Sequence, residues 1–149
     1  MRALGRRGVL MLAPVLLLRC GAPPPPVLDL TVIGGADQNP SASGQPTSVA
    51  IVLYQLASLD MFLKADVFAL TDREAATLGA DDLGSERIVI SPGETRIVQH
   101  PLKPGARFLG AVALFREIDR ATWRADAPLA ASGPSKLVMR TAGTTVRFG

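Results

Sequence analysis

The run Ser48 to Leu56 limits the fold more than any other part of this chain. Read as a strand, it points Val49, Ile51 and Leu53 one way and Ala50, Val52, Tyr54 and Leu56 the other, because strand side chains alternate between faces. Both faces are apolar, so both must be covered. A second sheet can cover one of them, and something else in the chain has to cover the other.

The remaining segments supply that second sheet. Leu28 to Ile33 alternates for part of its length and stops at Gly34-Gly35. Arg87 to Ile90 and Thr95 to His100 flank Ser91-Pro92-Gly93-Glu94, where Pro at the second and Gly at the third turn position suits a type II turn and predicts a hairpin. Arg107 to Arg116 is a long apolar strand whose Gly110, Ala111 and Ala113 permit close approach of a neighbouring layer. Thr122 to Arg124, Lys136 to Thr141 and Thr144 to Phe148 complete the set, the last two joined at Ala142-Gly143. No repeat period recurs, which argues against a solenoid.

Between the second strand and the predicted hairpin the apolar spacing becomes helical. Leu59, Phe62 or Leu63, Ala65 or Asp66, and Leu70 repeat at helical intervals, with Ser58 or Asp60 as N-cap. Thr71-Asp72-Arg73-Glu74 fits a capping box, opening a second short helix that ends near Leu78, with Gly79 beyond it. These helices, over about residues 58–83, are expected to cover one face or end of a two-layer sandwich.

The N-terminal residues are of a different kind. Arg2, Arg6 and Arg7 precede an apolar stretch from Val9 to Leu18, which fits a signal-peptide core and is shorter than the roughly 20 apolar residues of a membrane span. Leu17, Leu18, Arg19 and Cys20 stand where bacterial lipoprotein signals place Leu, any residue, a small residue and the acylated Cys. Arg19 departs from that pattern, and an ordinary cysteine within a signal cut elsewhere is the competing reading. Residues 1–19 are thus expected to be a leader and Cys20 the lipid-bearing first residue. Ala22 and Pro23 to Pro26 then form a stiff spacer, about 15–20 Å long at polyproline dimensions, with the folded domain spanning 28–149. More than one acyl chain on Cys20 would hold the domain to the bilayer effectively permanently. Gly21, rather than Asp, after the cysteine favours the outer membrane over inner-membrane retention in the bacterial sorting pattern.

Removal of such a leader changes the charge argument. The chain carries 16 Lys and Arg against 13 Asp and Glu, but Arg2, Arg6, Arg7 and Arg19 precede Cys20, leaving 12 against 13. A near-neutral domain with scattered basic residues gives no signal for nucleic acid. Cys20 is the only cysteine, so no intrachain disulfide staples the fold. Catalytic patterns are equally thin. His100 is the only histidine, no Gly-x-Ser-x-Gly elbow accompanies it, and a strand-end structural role is the simpler reading. Asp81-Asp82 are sequence neighbours that usually splay apart in solvent, and Gly34-Gly35 lacks the spacing of a nucleotide loop. Trp123 beside Arg124 reads as a core tryptophan or an exposed binding aromatic. No cofactor, metal or small-molecule substrate is called for.

Taken in order, these segments resemble the type VI secretion outer-membrane lipoprotein family (TssJ, VasD or Lip type). The resemblance runs from Cys20 through Ser48 to Leu56, Phe62, Ala65 to Phe68, Leu70, Thr77 to Gly79 and Asp82-Leu83. It continues through Pro92 to Glu94, Leu109 to Arg116 and Ala121 to Arg124, covering Leu28 to the C-terminus. It implies an all-β, transthyretin-like two-layer antiparallel sandwich of about eight strands with the helical insertion between the second and third. It also implies residence on the periplasmic side of the outer membrane. The partner it implies is the periplasmic domain of the inner-membrane protein TssM, within a membrane complex that contains TssL. In the family much of that contact lies in the loop between the first two strands, here Ala36 to Pro46, with Asp37, Gln38, Asn39, Pro40, Ser41, Gly44 and Pro46 as contact residues.

On this reading the chain is a tether without a chemical step, and membrane confinement raises the effective concentration at the partner. Glycines in place of Gln38 to Ser41 are then expected to weaken binding at unchanged melting temperature. Alternatives are an idle polar loop, a ligand-binding or envelope-assembly lipoprotein with a deep apolar pocket, or an envelope hydrolase in which His100 pairs with a nucleophile or carboxylate.

Overall fold

The computed structural model describes residues Gly21–Gly149; the leader and Cys20 lie outside the described residues. In chain order, β1 (Val27–Ile33) and β2 (Val49–Leu56) precede three short helices, α1 (Asp60–Lys64), α2 (Val67–Asp72) and α3 (Glu74–Leu78). Then follow β3 (Asp82–Ile90), β4 (Thr95–Pro101), β5 (Phe108–Ala113), β6 (Arg124–Pro128), β7 (Pro134–Ala142) and β8 (Thr145–Phe148). One sheet has the order β4-β1-β7-β8 and the other β3-β2-β5-β6. All neighbours are antiparallel except β1 and β7, which run parallel.

β2 lies between β3 and β5 and is covered on both faces. Val49, Ile51 and Leu53 join Leu28, Leu30, Val32, Met139 and Val146 in the core between the sheets. Val52, Tyr54 and Leu56 face the other way, under Phe62, Val67, Leu70 and Leu78 of the helices. The insertion is therefore the lid that the two-sided strand requires. Gly110 makes the close fit possible, since a Cβ there would meet the Phe62 ring at 2.8 Å. Tyr54 donates its hydroxyl to the Leu70 carbonyl at 3.1 Å, and its burial, with Glu74 and Asp82 nearby, pushes its pKa up. Arg124 closes the assembly by donating to the Phe62 and Ala65 carbonyls at 2.9 and 2.8 Å while stacking on Trp123. Trp123 is half-buried and packs against both apolar clusters.

Several local expectations are corrected. The turn at Ser91 to Glu94 forms, with the Glu94 amide donating to the Ser91 carbonyl at 3.1 Å and Gly93 at φ +74°. The flanking strands are not a paired hairpin, however, because β3 and β4 lie in different sheets. The Gly34 amide donates to the Glu94 carbonyl and the Gly93 amide to the Gly34 carbonyl, which carries β4 onto β1. The first helical segment breaks at Ala65, where ψ is 150°, and Asp66 caps α2 by accepting from the Ala69 amide at 2.8 Å. Thr71 sits inside α2 and bonds back to the Val67 carbonyl, so the capping box does not form, and Glu74 instead accepts from the Ser85 hydroxyl. Gly79 takes positive φ at the end of α3, as expected. The strand expected over Thr122 to Arg124 lies further along, at Arg124–Pro128. The proline spacer is also shorter than expected. The Pro24 carbonyl accepts from the Gly133 amide and the Pro26 carbonyl from the Leu102 amide, both at 3.0 Å, so those prolines are part of the domain.

Candidate functional site

Strand register divides the loops between two ends. Val27 pairs with Pro101 and Pro134, while Ile33 lies opposite Thr95 and Arg140. In the other sheet Leu56 pairs with Phe108, and Val49 with Ile90. Residues 24–26, 102–107 and 129–133 therefore share the end at which the chain enters. Residues 34–48, 91–94, 114–122 and 142–144 share the far end.

The loop between β1 and β2 dominates that far end and is built around two buried side chains. Gln38 is 0% exposed and Asn39 4%. The Gln38 amide nitrogen donates to the Ile90 carbonyl at 2.7 Å and to the Thr47 carbonyl at 3.2 Å, while its oxygen accepts from the Thr141 hydroxyl. Asn39 donates to the Ser48 carbonyl at 2.8 Å, accepts from the Arg116 amide at 2.8 Å, and holds φ +46°, a left-handed conformation that asparagine tolerates. The loop is thus stitched to both sheets from within. As buried groups, Gln38 and Asn39 cannot present side chains to a partner, and this corrects their place in the expected contact set. Glycine at these positions would leave buried polar partners unpaired, so the expectation of an unchanged melting temperature is withdrawn too.

The outer half of the loop is different. Pro40 and Ser41 are partly exposed, residues 42–46, including Gly44 and Pro46, are exposed, and Asp37 is exposed beside Gly143. The Gly44 amide donates to the Ser41 carbonyl and the Ser41 amide to the Gln45 carbonyl, each at 2.8 Å, which fixes this tip as a compact turn. Nothing local in the sequence marks Thr141 or the Arg116 amide as part of the brace. Thr141 lies 103 residues from Gln38, and only the closed sandwich brings them together.

His100 lies elsewhere, spanning the open edge between the sheets. Its Nε2 meets the Glu86 carboxylate at 2.5 Å and its Nδ1 meets the Pro101 carbonyl at 3.0 Å. Burial alone lowers the imidazole's pKa, but the Pro101 carbonyl and the Glu86 carboxylate outweigh it and hold the pKa above the ordinary 6.5. The carboxylate partner required of a hydrolase is present, but the neighbouring Ser85 donates its hydroxyl to Glu74 and is not part of the pair. Because the folded pKa is raised, the pair's stabilisation is complete below pH 6.5 and is lost as pH rises through the folded value. The melting temperature should therefore fall modestly from pH 6 to pH 8, and Glu86→Gln should flatten that slope in thermal melts at matched ionic strength. An equal slope in the variant would refute this assignment.

The space between the sheets is filled by apolar side chains, and among the described residues no helix is long and apolar enough to cross a membrane. A filled two-layer β-sandwich that braces one long loop opposite the chain's point of entry defines the class of this protein. Residues 26–144 match the T6SS-SciN family model, described as type VI secretion lipoprotein, VasD, EvfM, TssJ, and the chain belongs to that family. Its members are structural lipoproteins of the type VI secretion system, not enzymes. The fold is similar to that of the T6SS lipoprotein TssJ1 from Pseudomonas aeruginosa, at TM-score 0.81 and 33% identity, over 85% of this chain and 96% of that one. Lip of Serratia marcescens, described as a membrane-bound component of the type VI secretion system, matches at TM-score 0.75 and 25% identity, over 84% and 96%. A chain in a structure described as "T6SS protein TssM C-terminal domain (869-1107) from EAEC" matches at TM-score 0.71 and 28% identity, over 83% and 98%. The chain matches no curated protein sequence.

Proposed function

We propose that this chain is the outer-membrane anchor of a type VI secretion trans-envelope complex, fixed by acylated Cys20 and gripping the periplasmic domain of a TssM-like inner-membrane protein. The observation that carries this reading is the placement of the braced β1–β2 loop at the end opposite the chain's entry, which turns its exposed tip away from the anchor. The third structural match supports it. The structure in which that matching chain occurs is described by a TssM C-terminal domain, the kind of partner proposed here. The loop tip offers backbone groups and a fixed turn from Pro40 to Pro46, a preorganised shape that loses little entropy on docking.

Two side-chain sets should separate cleanly. Pro40→Ser with Pro46→Ser and Ser41→Arg alters only the tip, and is expected to lower affinity for a purified TssM-like periplasmic domain at least about tenfold, the scale of losing one well-placed contact. The melting temperature should stay within about 2 °C, since surface changes cost little. Calorimetric titration and thermal melts on the same samples read both quantities. Undiminished affinity would remove the tip from the interface. In cells, Cys20→Ser should leave the fold and the binding of the TssM-like domain intact while abolishing secretion, and full secretion by that variant would refute the anchoring role.

A further inference from the structure

The end at which the chain enters carries a surface that the grip on a partner does not use. A concavity of about 490 Å³ opens there, lined by Pro26, Lys103, Arg107, Phe108, Leu129 and Ala131 among others, and its lining holds no carboxylate. Lys103 and Arg107 are exposed, while Phe108 and Leu129 are half-buried, which gives an apolar floor beneath two cations. Pro26 belongs both to this lining and to the segment that leads back toward Cys20. Since Pro24 and Pro26 are bonded to the domain at Gly133 and Leu102, the free tether is short. Four residue steps from Cys20 to Pro24 reach about 12 Å in an extended proline-rich chain. An acyl chain on Cys20 therefore keeps this concavity close to the headgroup layer.

We propose that this end of the sandwich docks on the bilayer, with Lys103 and Arg107 against phospholipid headgroup phosphates and Phe108, Leu129 and Ala131 against the glycerol and acyl boundary. The proposal rests on acylation of Cys20 and adds orientation to attachment. A domain tied by a short strap but free to tumble would point its loop in every direction. Docking of the entry end aims the Pro40 to Pro46 tip along the membrane normal. Each basic side chain close to an anionic surface shifts the balance between docked and free states about fivefold.

The test uses the acylated protein in vesicles of phosphatidylethanolamine and phosphatidylglycerol that carry a headgroup-bound quencher. With Cys20 acylated, Ala131→Cys and Ala42→Cys each provide one labelling site, at the entry end and the loop end. Quenching is expected to be strong at position 131 and weak at position 42. Lys103→Glu with Arg107→Glu should lower the docked-to-free ratio at least about tenfold, and high salt should act in the same direction. Equal quenching at the two positions, or quenching at position 131 that ignores the double charge reversal, would overturn the proposal while leaving anchoring intact. Mass spectrometry that finds Cys20 unacylated would overturn docking and anchoring together.

Discussion

Phe62→Ala is expected to lower the unfolding free energy by about 3–5 kcal/mol, the range for aromatic truncations in filled cores. Phe62 is fully buried in the lid, its ring 5.7 Å from that of Tyr54, and it occupies the space that Gly110 leaves open. Arg124 lies 5.9 Å from its centroid and bonds the carbonyls that end α1. A helix of five residues has no stability of its own in water, so α1 depends on the packing of Phe62 and on the Arg124 bonds. Truncation removes the knob and leaves a cavity that the rigid β-sheet beneath cannot collapse to fill. The lid should then open before the sandwich, exposing Val52 and Tyr54, and limited proteolysis should cut first within residues 57–81. Denaturant titration gives the magnitude. A loss below about 1 kcal/mol, the level of an ordinary surface change, would show that the lid is not held in this way.

Gln38→Ala is the second large effect, with an expected loss of about 2–4 kcal/mol. One amide donates to the Ile90 and Thr47 carbonyls and accepts from the Thr141 hydroxyl, and its removal takes that partner from all three groups. For a domain of this size the melting temperature should drop by roughly 6–15 °C. Because the brace also shapes the tip, partner affinity should fall with it, in contrast to the tip variants, which lower affinity alone. Gln38→Glu sharpens the test. It keeps the acceptor but loses the donor and places a charge among carbonyls, so it should be no milder than alanine. A stable Gln38→Ala protein would mean that the loop holds itself without its brace.

The two-sided strand at Ser48 to Leu56 was legible because alternation and composition are local properties, and its consequence, a sheet on one face and helices on the other, followed from solvation alone. Gly110 was legible for the same reason, as a missing side chain in an apolar strand announces a close neighbour. The turn at Ser91 to Glu94 was legible as a turn. Its partners were not, since the same four residues can end a hairpin or hand the chain to another sheet. That choice was made by Gly34, which captures the turn for β1 from about 60 residues away along the chain. Thr71 misled for a related reason: its hydroxyl could cap the following helix or bond back within its own, and packing of Val67 and Leu70 drew it into α2.

Within the candidate site, the length and polarity of residues 36–46 were visible, but the division between brace and surface was not. Glutamine and asparagine read as contact residues by composition, since polar amides usually face water. They are buried here because backbone groups of Ile90, Ser48 and Arg116, together with the Thr141 hydroxyl, converge on them. By itself the sequence determined most of the strands, the covered faces and the lidded sandwich, all of which depend on residue type and short-range spacing. The tertiary structure alone decided which strands share a sheet, which loop amides turn inward, and where the entry prolines attach. Those outcomes depend on hydrogen-bond partners distant along the chain, and such partners exist only after the two layers have closed.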